Sequence, residues 1–166
     1  MSTLLRSRYN SFQVLFFLSL LVMGCSQPNE PISESEAIET IEGLFNALGE
    51  YIEGKNTELI NEYITEDFII YEVGRKMNKK EFLQFASGFP ILECNWELSD
   101  FRVSTDVNSA HASLFNKGEV LMQTDSSNII QNYDWLESAY LVKVDGKLKV
   151  KFYFSDIILL ETKKAD

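Results

Sequence analysis

Trp135-Leu-Glu-Ser-Ala-Tyr-Leu-Val-Lys-Val-Asp-Gly-Lys-Leu-Lys-Val-Lys-Phe-Tyr-Phe154 decides the fold. Asp145-Gly146 at its centre is a two-residue hairpin signal, because both positions of such a turn need a positive φ. The flanks, Ile129–Val144 and Lys147–Leu160, read as long strands. In the second, Leu148, Val150, Phe152 and Phe154 alternate with Lys147, Lys149 and Lys151. That period of two predicts one buried and one wet face. Working backward, Thr124–Asn128 is a polar loop, Ala110–Gln123 another strand, and Asp106–Ser109 a turn. Before it, Cys94, Trp96 and Leu98 alternate with polar residues, and Phe101 and Val103 continue after a one-residue slip. Such a slip predicts a β-bulge.

The front half has the other period. Ser33 and Glu36 form a capping-box signal, and Ile38, Ile41, Phe45, Leu48 and Ile52 follow at helical spacing. Gly54 ends that helix. Asn56 or Thr57 opens a second, short helix with Leu59, Ile60, Tyr63 and Ile64. Phe68–Glu72 is a short strand closed by Gly74. Asn78 and Glu81 cap a third helix carrying Phe82, Leu83 and Phe85. The expected fold class is α+β: a cone-shaped, curved antiparallel sheet wrapped around a long N-terminal helix, with two shorter helices. That arrangement buries the apolar faces of helix and sheet together.

Ahead of the domain, Met1–Asn10 is basic through Arg6 and Arg8, and Val14–Met23 is a ten-residue apolar run. The run is too short for a bilayer core of about 30 Å and suits a secretion signal. It ends in Leu21-Val22-Met23-Gly24-Cys25, which resembles the lipobox of bacterial lipoproteins. The resemblance implies a signal over residues 1–24, acyl chains on Cys25 and a tether over 25–32, leaving 33–162 as the domain. It also implies a place in the bacterial cell envelope, and Ser26 after the cysteine points toward the outer membrane. The full chain carries a net charge of −10; losing the leader removes two arginines and no acid, giving −12. Such a surface disfavours nucleic acid and anionic headgroups alike, so the membrane partner must be held through the lipid on Cys25. With Cys25 acylated, Cys94 has no partner for a disulfide and reads as a buried thiol.

The Trp135–Val150 segment, running on to Phe154-Ser155, resembles the last hairpin of SnoaL-like proteins of the nuclear transport factor 2-like superfamily. The front is similar too, with a long helix, Thr65-Glu66-Asp67-Phe68 leading into a strand, and a short helix near Lys79-Lys80-Glu81-Phe82. The resemblance covers about Ser33–Leu160 and implies a conical fold with a pocket between sheet and helices. Its members include isomerases, cyclases, dehydratases, binding domains and dimerisation modules, so fold alone does not choose among them. Ser155 and Asp156 stand where many relatives end the strand in a histidine-serine-threonine-like run, with Phe154 in place of the histidine.

The candidate bases are Glu137 and His111, the only histidine. Glu137 shares a strand face with Trp135 and Ala139. It is either a pocket carboxyl or the partner of Lys149 or Lys151 in a cross-strand ion pair. Tyr71, Trp96, Tyr133, Trp135 and Tyr153 are candidate cavity aromatics, with plain core as the alternative. No metal-ligand set, cofactor motif or phosphate loop is legible. Three functions stay open: a non-catalytic lipoprotein whose cone binds a small apolar or amphipathic ligand, a homodimerising module using the outer sheet face, and an isomerase- or cyclase-type enzyme with Glu137 or His111 as base.

Overall fold

The computed structural model describes residues 30–165. The leader, Cys25 and most of the tether lie outside the described residues. Among the described residues no helix is long and apolar enough to cross a membrane.

Helix α1 spans Glu34–Ile52, a 3-10 turn spans Leu59–Glu62, and strands β1 and β2 span Ile64–Glu72 and Arg75–Asn78. Helix α2 follows at Lys79–Ala86, then β3 (Ile91–Thr105), β4 (Ser109–Gln123), β5 (Asn128–Val144) and β6 (Lys147–Lys164). The strands form one curved sheet in the order β2-β1-β6-β5-β4-β3. Every pairing is antiparallel except β1 with β6, which is parallel.

Local chemistry explains most boundaries. The Ser33 side chain accepts the Glu36 N–H at 3.0 Å, and Gly54, just past the end of α1, takes φ +70°. Ile32, placed in the tether by the sequence reading, is buried instead and donates its N–H to Asp106 O. An apolar residue just before a helix cap ordinarily turns back onto the helix or core. The Asn78–Glu81 capping box of α2 is complete in both directions. The second helix is reduced to the 3-10 turn, and Ile64 belongs to β1. Asn56 Oδ1 still caps the turn by accepting the Leu59 N–H, but four residues give too few hydrogen bonds to propagate a helix. Strand β2, unforeseen, is made by a tight turn at Val73-Gly74, both with positive φ. A β-branched residue rarely tolerates that conformation.

The core lies between α1 and the concave face. Ile41, Leu44 and Phe45 of α1 bury against Leu114, Leu141, Val150 and Tyr153, each apolar side chain contributing about 2 kcal/mol. Ala110, Ala112 and Ala139 keep the sheet floor low beneath the helix.

Two of the sheet's register shifts bear most on which residues face inward. In β3 the register slips between Ser99 and Arg102 against Phe115 and Ser113, with Asp100 at φ +53°; this is the slip expected from Phe101 and Val103. In β6 the register slips at Lys151, since Leu141 pairs with Val150 but Tyr140 with Phe152. The extra residue inverts the alternation beyond it. Leu148 and Val150 are buried as expected, but Phe154 is exposed and Tyr153 and Ser155 face inward.

Candidate functional site

Four strands bring side chains to one end of the cone. Phe68, Ile70 and Glu72 alternate along β1; Tyr153 and Ser155 come from β6; Trp135 and Glu137 from β5; Asn116 from β4. Leu44, Phe45 and Leu48 of α1, Phe82 of α2 and Trp96 of β3 close over them. They enclose a chamber of about 70 Å³. A second space of about 160 Å³ adjoins it, sharing Leu48, Glu72, Phe82, Trp96 and Trp135 as walls and reaching Tyr133, Phe85 and Phe89. Gly118 makes the arrangement possible: a Cβ there would stand 2.5 Å from the Trp135 ring and 3.1 Å from the Trp96 ring.

Glu137 is only 6% exposed. The Tyr153 hydroxyl donates to its Oε2 at 2.9 Å, and the Ser155 hydroxyl reaches toward Oε1 at 3.5 Å. Burial pushes the Glu137 carboxyl up to about 7, outweighing the Tyr153 hydrogen bond that favours the ionised form. The charge of Glu72 adds to the rise. Glu72 itself is raised to about 7 by burial. The Tyr153 hydroxyl, wholly enclosed, is raised by burial first and by Glu137 next. Among the described residues no lysine, arginine or histidine lines the chamber.

Among the described residues, three polar side chains around this space have no hydrogen-bond partner. Both amide atoms of Asn116, 1% exposed, are buried without a hydrogen bond, as are the indole N–H groups of Trp96 and Trp135. Asn116 stands near enough to Glu137 to favour its charged form, yet completes no bond with it.

The candidates named from sequence divide accordingly. Glu137, Trp96, Trp135 and Tyr153 line the chamber. Tyr133 lines the adjoining space, stacked on Trp135 with ring centroids 4.6 Å apart, its hydroxyl donating to Gln131 Oε1. The ion-pair reading of Glu137 is corrected: Lys149 donates to the Asn61 carbonyl and Lys151 to Asp67. His111 is exposed and bonded to Ser138 Oγ at 2.8 Å, away from the chamber. Its strand is in phase with Ala110 and Ala112 inward, which turns the imidazole out. Tyr71 is 42% exposed and packs edge-on against Phe152. It shares a strand with Phe68 and Ile70, whose phase sends Glu72 inward in its stead. That same alternation was the signal for Glu72, and Leu114-x-Asn116-x-Gly118 was the signal for Asn116. Cys94 is buried and free, its thiol raised to about 11 by burial and then by Glu53. Among the described residues no group of His, Cys, Asp and Glu could hold a metal ion.

Chemically, the chamber offers a carboxyl poised near neutrality, hydrogen-bonded by a tyrosine, in apolar surroundings. It can bind a small molecule or exchange a proton with one.

No family model matches the sequence, and no curated protein is significantly similar to it. Solved structures do match in shape. A hexachlorocyclohexane dehydrochlorinase, LinA type 2, superposes with a TM-score of 0.63 at 10% identity, over 81% of this chain and 95% of its own. A candidate scytalone dehydratase from Novosphingobium aromaticivorans gives 0.57 at 15% identity, over 78% and 88%. A candidate ketosteroid isomerase from Shewanella frigidimarina gives 0.55 at 13% identity, over 74% and 96%. The described domain therefore has the nuclear transport factor 2-like, SnoaL-like fold. At these identities the likeness extends to the fold alone.

Proposed function

We propose that this chain is an envelope lipoprotein, tethered through acyl chains on Cys25, whose cone binds a compact and mostly apolar molecule with a polar end. The observation that carries the binding reading is the set of unpartnered polar groups on Asn116, Trp96 and Trp135 around one cavity. Each buried, unsatisfied group costs about 1–3 kcal/mol, and a fold keeps such groups together where something else completes them. The chamber of about 70 Å³ is too small for a ring. The adjoining space of about 160 Å³ matches an apolar cavity of about 150 Å³ that accepts benzene, so the ring would lie there with its polar end in the chamber. Intrinsic tryptophan emission tests it, because Trp96 and Trp135 are the only tryptophans. Titrating benzyl alcohol into the full-length chain in dodecyl maltoside, with micelles as blank, is expected to give a saturable change. A change no larger than the blank would remove the reading. The tether is tested separately: metabolic labelling with palmitate is expected in the natural chain and lost in Cys25→Ser.

A proton-transfer enzyme is the second reading, and the Tyr153–Glu137 hydrogen bond favours it. A carboxyl near 7 is matched to act as base at neutral pH, and His111 on the outer face has no part in it. Exchange of the α-protons of cyclohexanone in D2O, followed by NMR and abolished in Glu137→Gln, is its expected signature. The third reading, a homodimer, rests on the outer face, where Tyr71, Tyr140, Phe154 and Leu136 are exposed on adjacent strands. Light scattering would then give a dimer mass, and Phe154→Asp would return a monomer.

A further inference from the structure

We propose that the polar end of the ligand is a protonated amine, held between Glu72 and Glu137 with its apolar body among the aromatic side chains. This rests on the binding-pocket reading and names the head group that pocket selects. The register supplies the geometry. Tyr71 pairs with Phe154 in the parallel ladder, so Glu72 comes beside Ser155, and Ser155 pairs with Glu137. Three adjacent strands thus carry Glu72, Ser155 and Glu137 in one row facing the chamber. With strands about 4.8 Å apart, the two glutamates start about 10 Å apart at Cα and reach toward a common centre.

An ammonium group is a donor of three hydrogen bonds and accepts none. The row supplies one acceptor at each end, and the unpartnered Oδ1 of buried Asn116 supplies a third. The indoles of Trp96 and Trp135 wall the same space, and aromatic rings attract cations. Among the described residues no cationic side chain lines the chamber itself. Strand β2 brings Arg75, the ladder partner of Glu72, but its guanidinium lies 5.5 Å from the centre of the Phe85 ring, and with Lys76 it lines the neighbouring groove. Helix α1 brings Leu44, Phe45 and Leu48, α2 brings Phe82, β3 brings Trp96, and β6 brings the neutral Tyr153. Inside the chamber a carboxylate or phosphate ligand would meet two carboxyls and be repelled. A neutral alcohol would leave those two carboxyls without a counter-charge. Binding of the ammonium form favours ionised glutamates, so protons leave them for the buffer; the nitrogen keeps its own.

Isothermal titration of the full-length chain in dodecyl maltoside at pH 7, with benzylamine, benzyl alcohol and benzoate, tests this directly. The three probes share a ring and differ in head group. Benzylamine is expected to bind at least tenfold more tightly than benzyl alcohol, with no benzoate binding. Repeating it in buffers of different ionisation heat should reveal release of about one proton. In Glu72→Gln, Glu137→Gln and the double variant, each checked for a cooperative urea transition, the amine preference should shrink and then vanish. Equal affinity for amine and alcohol, or a preference that survives the double variant, overturns the amine proposal and leaves the pocket standing. If none of the three probes binds the natural chain, both fall.

Discussion

Replacing Glu137 with glutamine should make the protein more stable at high pH and little changed at low pH. The carboxyl titrates at about 7 in the folded chain against 4.5 as an ordinary side chain. Its folded pKa is raised, so the folded state binds the proton more tightly than the unfolded state does. The stability this contributes is full below about 4.5 and is lost as pH rises through 7. At 1.36 kcal/mol per pKa unit, the loss is about 3 kcal/mol, most of it between pH 5 and 8. Glutamine keeps an oxygen for the Tyr153 hydroxyl and never ionises. The natural chain and Glu137→Gln are therefore expected to differ by less than about 1 kcal/mol at pH 5, and by about 3 kcal/mol in favour of glutamine at pH 8. With a urea m-value of 1–3 kcal/mol/M, the midpoints should separate by roughly 1–3 M as pH rises. Carboxylates distant from Glu137 are common to both chains and cancel in the difference, while the coupling to Glu72 is part of the rise at Glu137. Urea transitions at pH 5, 6, 7 and 8 supply the measurement. A gap that stays constant with pH, or glutamate being the more stable at pH 8, would refute a buried, proton-holding Glu137.

Three further outcomes follow from the same geometry. Val73→Asn should stabilise by about 1 kcal/mol, since Val73 holds φ +45° in the β1–β2 turn and asparagine tolerates that region; a lower melting temperature would contradict it. Gly118→Ala should cost about 1–3 kcal/mol, because the new methyl displaces the Trp135 ring, and should shift tryptophan emission at unchanged pH. Cys94 should alkylate slowly with iodoacetamide at pH 8 in folded Cys25→Ser chain and rapidly in guanidinium, its thiol being raised to about 11 by burial; equal rates would show an accessible thiolate.

The sequence was most legible where a local rule has one structural outcome. Asp145-Gly146 could only be a hairpin turn, Asn78 with Glu81 only a helix start, and the slip before Phe101 only a bulge. It was least legible where phase depends on a partner strand. Lys147–Phe154 alternates without interruption in sequence, and nothing in it announces that Lys151 is looped out. Tyr153 was a candidate for its chemistry, while the alternation alone would have turned it to solvent. Glu72 was hidden by its type: a glutamate at a strand end reads as solvated, although Phe68 and Ile70 had already fixed its side of the sheet. Asn116 was hidden likewise among apolar neighbours on β4. The parallel contact of β1 with β6, which brings Glu72 to the chamber, joins segments about 80 residues apart, beyond the reach of any local pattern.

The looped-out residue at Lys151 bears on how this strand tolerates changes of length. Deleting one residue from the middle of a sheet ordinarily turns over everything beyond it. Here, loss of Lys151 would join Val150 directly to Phe152 and leave Tyr153 and Ser155 on the side they already occupy. The exposed ion pair to Asp67 would go with it, a contact of the kind worth less than about 1 kcal/mol. The strand would straighten, and the chamber would keep its groups. A central strand can therefore gain or lose a residue at this place without rewriting the interior, while a deletion two positions later would exchange Ser155 for Asp156 in the wall.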